Sequence, residues 1–403
     1  MALPLEGIRV VELDIWAFCP SAGATLAMWG ADVIHVESPS RPDPMRSSHG
    51  GSMTPGDANF LFKHYNRNKR GVSIELLHPE GREAFYRLIR QSDVFLTNLL
   101  PGTRRKLGID VDQIAAVNPN IVYAKGTGAG PLGPEAERGG YDLASWWARG
   151  SMSASAMTVA GVPAPTAMIG HGDGLAGMVF AGGICAALAQ RARTGAPAVV
   201  DGSLLAAAMW FNAPTITSST LGPDRQMFYR NEPRAEVHWT INYYGTSDDR
   251  FIYLTFVGDI DAQFVDLCQH LDRPDIAADE RFSTAELRTT HSSELVDALT
   301  PIFATRPLAD WRRRLATTLG VWSAVQTPDE MPSDPQVVAN GYISTVSYPD
   351  ADLPMVSSPV MFDGVAPGAQ PCPDFGEHTD DVLADLGYGP DQIAGLRTAG
   401  VIS

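Results

Sequence analysis

Ile8-Arg9-Val10-Val11-Glu12-Leu13 is a short β-branched run with the composition of a strand buried on both faces. Pro20-Ser21-Ala22-Gly23-Ala24-Thr25-Leu26-Ala27-Met28-Trp29-Gly30 follows as a small-residue helix stopped by glycine, and Asp32-Val33-Ile34-His35-Val36-Glu37 is the next strand. The rhythm then repeats. Strands are predicted over 71–76, 94–96 and 121–124, and helices over 79–92, with Phe85, Leu88 and Ile89 on one face, and over 110–117. Strands alternating with helices predict an α/β fold with a mainly parallel sheet covered by helices.

After Gly130 the chain turns loop-rich, and an apolar helix is predicted over 174–193, with another buried helix over 201–211. The segments 239–244 and 250–256 alternate across Gly245-Thr246-Ser247-Asp248-Asp249, a hairpin signal. Helical patterns follow, including 308–319. From about Gln336 the sequence returns to strands and ends in two short helices, 379–386 and 390–399. This divides the chain into a large first part over 1–224, a smaller α/β domain over 225–330, and a return segment over 331–403 that completes the large domain.

The 403 residues carry 30 Lys+Arg against 46 Asp+Glu, a formal charge of −16. The resulting field repels polyanions, so nucleic acid and anionic membrane are poor partners, whereas a local basic cluster can still hold a small phosphate. Four cysteines lie far apart with no CxxC spacing, which points away from a disulfide scaffold or zinc knuckle and toward a reducing cytoplasm. The start of the chain lacks a basic segment before an apolar one, so no signal peptide is expected. The most apolar run, 174–189, is shorter than the roughly 20 residues a membrane span needs.

Nine histidines in no HxH, HExxH or Cys/His pattern give no dedicated metal site, and GxSxG is absent. Gly126-Thr127-Gly128-Ala129-Gly130 runs into Pro131 and Pro134 rather than a helix, so it reads as a glycine-rich turn rather than a dinucleotide loop. More informative is Ile169-Gly170-His171-Gly172-Asp173-Gly174-Leu175, where a carboxylate between two glycines begins an apolar helix. As an N-cap, Asp173 would accept from first-turn amides and the helix dipole would keep it ionised. As a nucleophile, it would be reachable by a bulky electrophile because Gly172 and Gly174 carry no side chains, and their exposed amides could stabilise an oxyanion. Both readings stay open on spacing alone. Basic residues cluster as Lys63, Arg67, Lys69 and Arg70, and as Arg104, Arg105 and Lys106; each group is either solvated loop charge or a phosphate site near strand ends.

Several separated segments together resemble the class III coenzyme A transferases, a group with formyl-CoA transferase, carnitine CoA-transferase and, as a relative, α-methylacyl-CoA racemase. They are Pro4 to Leu13 with Gly30 to Glu37; Asn66-Arg67-Asn68-Lys69-Arg70 with Pro79-Glu80-Gly81-Arg82; Thr97-Asn98-Leu99-Leu100-Pro101-Gly102; Gly139-Gly140-Tyr141-Asp142; Gly172-Asp173; and Gly376-Glu377-His378-Thr379 with Leu386-Gly387-Tyr388. The resemblance implies a Rossmann-like large domain built from both chain ends, a smaller inserted domain, and a homodimer of interlocked rings. It implies that Asp173 attacks an acyl-CoA thioester, passes through an aspartyl anhydride and an aspartyl-CoA thioester, and hands CoA to a carboxylic acid. Coenzyme A is then a co-substrate, with no permanently bound cofactor. Asn98, Lys106 and Arg138 match positions that contact CoA, and Ile74 falls near the adenine pocket.

The chain departs from formyl-CoA transferase at Ala17, where that enzyme has a glutamine. With Trp146, Trp147, Met152 and Met157, this suggests a bulkier, more apolar acyl pocket, or else these side chains are ordinary core; both readings stay open on the sequence. The alternative activity is racemisation of a 2-methylacyl-CoA, which needs two bases. The racemases have a histidine where this chain has Tyr141, a poor proton carrier with a reference pKa of about 10; His171 is the substitute. A further alternative is a CoA-binding protein that has lost catalysis, which would be expected to have lost Asp173.

Overall fold

Consecutive residues of a strand face opposite layers, and Val10 and Val11, both fully buried, enter two separate cores. Val33 and Ile34 divide in the same way. That double burial explains why these strands read as unbroken apolar runs. The computed structural model describes residues 2–47, 59–154, 170–221, 237–349 and 351–403.

Strands β1 (Arg9–Glu12), β2 (Asp32–Glu37), β3 (Arg70–Ser73), β4 (Val94–Thr97), β5 (Val122–Thr127) and β6 (Val199–Ser203) form one parallel sheet in the order β3-β2-β1-β4-β5-β6. The order reverses between β1 and β4, and in open α/β sheets a crevice forms beyond the strand carboxyl ends at such a point. Helices α1 (Phe18–Met28), α2 (Phe60–Asn66), α3 (Pro79–Arg90), α4 (Pro101–Leu107), α5 (Val111–Val117), α6 (His171–Thr194) and α7 (Leu204–Phe211) connect and flank the strands. One sheet face packs Phe85, Leu88 and Ile89 of α3 together with Val382, Leu383 and Leu396 from two C-terminal helices, Thr379–Asp385 and Pro390–Thr398. The other packs α1, α6 and α7, with Leu26, Phe180, Ile184 and Leu204 in one cluster.

The described residues divide into two compact units, bounded as Met1–Tyr229 with Asp334–Ser403, and Arg230–Ser333. The expected boundary at 224/225 lies outside the described residues. In the second unit β7 (Ile241–Gly245) and β8 (Phe251–Thr255) pair antiparallel as the hairpin signal implied, and β9 (Val321–Ala324) adds a third strand. Trp239, Phe264, Phe303 and Trp311 fill its core.

Four sequence expectations need correction. Residues 201–211 are not one buried helix: β6 occupies the first part, and Met209, Trp210 and Phe211 at the end of α7 are exposed. The apolar run at 174–189 belongs to a helix of 24 residues, long and apolar enough to cross a membrane by length and composition. This helix is therefore not too short for a bilayer, although its Ala176, Phe180, Ala181 and Ile184 are buried in the core shared with α1. The first basic cluster does not offer loop charge to a ligand. Lys69 Nζ donates to Glu12 Oε1 (2.5 Å), the Pro20 carbonyl and Asn66 Oδ1, Arg70 pairs with Asp32, and Arg67 is buried against Met28. Trp146, Trp147 and Met152 pack in the core with α1 and α6 rather than lining a pocket; Met157 lies outside the described residues.

Candidate active site

The loop after β1 is shaped by its neighbours. Ile15 N–H donates to Asn98 Oδ1 (3.0 Å) and Asn98 Nδ2 donates back to the Ile15 carbonyl (2.6 Å). Trp16 N–H donates to Asp43 Oδ1 (3.2 Å), and Trp16 sits at φ +68°, in the left-handed region that non-glycine residues enter at a cost of about 1–3 kcal/mol. This conformation sets the indole edge-on to the Tyr141 ring, with centroids 5.7 Å apart. Beyond β5, Gly128 approaches Gly140 so closely that a Cβ at either would collide with the other's backbone. The glycine run is thus a close-approach site between two loops.

Gly170 is the N-cap of helix α6, and its φ of +77° is the left-handed conformation glycine permits. The Tyr65 hydroxyl of α2 donates to the Gly170 carbonyl (2.8 Å). Asp173 therefore lies in the first turn of the helix and is not its N-cap. The capping acceptor is Asp142, whose Oδ1 receives the Gly172 N–H at 3.1 Å. Gly174 N–H is taken by the Gly170 carbonyl (2.9 Å). Both flanking amides are already engaged, so the expected oxyanion donors at Gly172 and Gly174 are not available.

The Asp173 side chain is half-buried, and its carboxyl accepts no hydrogen bond among the described residues. Burial, and secondarily the charge of Asp142, push its carboxyl up to about 7. This reverses the expectation that the helix dipole keeps it ionised: without a donor, desolvation and a like charge outweigh the dipole. Tyr65 and Cys19, which also feel Asp173, are held neutral by burial.

A cavity of about 250 Å³ opens at the carboxyl ends of β1, β4 and β5 and brings together Asp173, Asn98, Arg138 and Tyr141 with Trp16, Phe18 and Leu204. A second, of about 360 Å³, shares Ile15, Leu99 and Thr103 with it and is lined by Val36, Arg41, Glu75 and Lys106. Lys106 thus stands apart from Asp173. Ile74 is fully buried in the core, with only its neighbour Glu75 on the second cavity. Ala17 does not line the first cavity: it is buried with Met45, Phe62 and Tyr65 while Trp16 and Phe18 take the lining positions. Gly172 and Gly174 shape the helix start without lining the cavity. Arg138 is exposed and faces Glu135 at 3.7 Å. His171, the candidate second base, is exposed and absent from both linings.

One trio of metal-ligand type among the described residues, Glu12, Asp14 and His35, has no spacing signature because it is assembled from β1, the loop after it and β2. The Lys69 ammonium on Glu12 already supplies a cation there. Sequence reasoning also missed Trp16, Tyr65 and Asp142. The last lay inside a motif that was noticed, but nothing in the motif shows that it reaches the start of a helix thirty residues on.

A family model described as CoA-transferase family III matches residues 5–379. The chain belongs to this family. It is 31% identical to a (R)-2-hydroxy-4-methylpentanoate CoA-transferase from Clostridioides difficile, over 99% of each chain. It is 32% identical to a succinate–glutarate CoA-transferase from Agrobacterium fabrum, over 95% of this chain and 96% of that one. Among solved structures, a CAIB/BAIF family protein from Brucella suis matches with a TM-score of 0.78 at 28% identity, covering 96% of this chain and 100% of that one. The protein is a class III CoA-transferase, an enzyme that uses a CoA thioester as co-substrate.

Proposed function

We propose that the enzyme transfers CoA from an acyl-CoA to a carboxylic acid through covalent intermediates on Asp173. The observation that carries this is a carboxylate without a hydrogen-bond donor, half-buried on a cavity at the sheet's switch point. A carboxylate oxygen attacks the thioester carbonyl carbon, the C–S bond breaks, and the electron pair leaves on sulfur as CoA thiolate. The thiolate then attacks the Asp173 carbonyl of the anhydride and releases the donor acid. The acceptor carboxylate attacks the resulting aspartyl-CoA thioester, and returning thiolate completes the exchange and restores Asp173. Anhydride and thioester are both activated acyl groups, so no step falls into a deep well, and both require that water be kept out.

In this reading Asn98 and Arg138 border the pantetheine path and Lys106, with Ile74 beneath, serves the nucleotide end in the second cavity. Asn98 acts through the Ile15 loop as much as through any direct contact. Trp16, Phe18, Tyr141 and Leu204 support an acid with an apolar side chain.

Asp173→Asn is expected to lower CoA transfer between acids by about 10³-fold or more while CoA binding, measured by calorimetry, persists. Wild-type transfer by the variant contradicts the assignment.

A further inference from the structure

The carboxylate that receives the amide just ahead of Asp173 lies on a different segment of the chain. Asp142 opens a π-helical turn, Asp142–Ala148, directly after the cavity residue Tyr141. It is only 5% exposed, and its Oδ1 receives the Gly172 N–H while the Gly170 and His171 amides also face it. Its Oδ2 has no partner among the described residues. A Cβ on Gly172 would run into Asp142 Oδ1 and the Trp146 ring, so the glycine is what lets the turn close onto the helix. Two acids therefore share one helix start, and only one of them receives its amides. Burial raises the Asp142 carboxyl above the usual carboxylate range and its amide donors offset part of that, whereas Asp173 has no such donors and is desolvated beside it.

We infer that Asp142 is a positioning residue for the transfer reaction: it grips the first turn of α6 so that Asp173 faces the cavity, and its charge strengthens Asp173 as a nucleophile. This rests on the reading of Asp173 as the attacking group. When Asp173 bonds to the thioester carbon, its negative charge passes to the departing sulfur and away from Asp142. Repulsion present before attack is thereby relieved in the transition state, the kind of interaction that raises kcat rather than affinity. Tyr65 from α2 and Cys19 from α1 also face Asp173, and burial raises both so that neither carries charge near neutral pH; across the cavity stand Tyr141 and two guanidinium groups, Arg104 paired with Asp110 and Arg138 facing Glu135. His171, on the same helix, faces Asp142.

Asp142→Asn keeps an oxygen for the Gly172 amide and removes the charge. In the wild type the acidic limb of kcat/KM is expected near the Asp173 value of about 7. In the variant it moves down by about half to one pH unit, and kcat above the limb falls by about three- to tenfold with KM for the donor nearly unchanged. A limb and a kcat that stay in place overturn the inference. If Asp142→Asn does not fold, Asp142→Glu serves: it keeps the charge but misplaces the grip, so it should retain the limb and lose kcat, and wild-type kcat there is equally contradictory. Trapping the covalent intermediate in the wild type separates the two levels. Label on Asp173 with an unmoved limb sinks the role of Asp142 alone, whereas no label on Asp173 removes the reading beneath it.

Discussion

Asp173 illustrates a contest of electrostatic effects at a single residue. A first-turn carboxylate is stabilised by the helix dipole by some 0.3–1 kcal/mol at exposed sites. Here burial and Asp142 win and hold the group up to about 7. Catalytic acids and bases are commonly perturbed in this way, and a perturbed acid in a cleft is what the proposed role of Asp173 requires. It also makes the folded state more costly when the group ionises. The folded-state pKa exceeds the unfolded one of about 3.9, so the penalty is absent below both values, grows as pH rises between them, and is complete above the folded value. Asp173→Asn should therefore stabilise the protein by up to a few kcal/mol at pH 8, with the gain vanishing near pH 4, because each tenfold change in acidity is worth about 1.4 kcal/mol. Thermal melts of both proteins across that range check it; an equal or lower Tm for the variant at pH 8 contradicts it. The residue itself was legible, because a carboxylate between two glycines ahead of an apolar helix stands out. Its protonation was not, since the desolvating walls and Asp142 come from other segments.

Strands buried on both sides announced themselves, and of the two edge strands β3 did and β6 did not. β1 and β2 read clearly because Val10, Val11, Val33 and Ile34 satisfy two cores at once. β6 was hidden: it is an edge strand whose Asp201 pairs with Lys125 (3.2 Å) and whose Gly202 gives room to the Phe180 ring, so the alternation is broken by local needs. The short helix α4 was read as loop because Arg104, Arg105 and Lys106 fill its last turn, where cations suit the dipole. The start of α6 was misplaced by three residues, since a left-handed Gly170 and an acceptor as distant as Asp142 give no local signal. The junction between that helix and the Asp142–Ala148 turn has its own consequence. Gly172→Ala should push Asp142 and Trp146 apart, lower stability by about 1–3 kcal/mol and cut turnover, with both seen in one preparation by melting and by transfer assay. A fully stable and active variant would show that the close approach is not needed.

For the whole molecule, the order of strands and the return of the chain's end to the first sheet face decide where chemistry sits. Glu12 and His35 are register partners on β1 and β2, and Lys69 precedes β3, so the internal charge network unites residues far apart in sequence. This is why a cluster that reads as ligand-binding charge is spent inside the fold. The same parallel order leaves a crevice beyond β1, β4 and β5, and the first turn of α6 delivers one unpartnered carboxylate to it. Fold class and family were open to sequence reasoning because their signals are spread along the chain; the cavity was not, because it is made of loop ends whose mutual approach depends on Trp16, Gly128 and Gly140. The central claim is that CoA passes through this one carboxylate. It is tested most directly by incubating the enzyme with an acyl-CoA, quenching with hydroxylamine or borohydride, and mapping the modified peptide by mass spectrometry: the account expects the mark on Asp173, and a mark on another residue, or none while transfer proceeds, contradicts it.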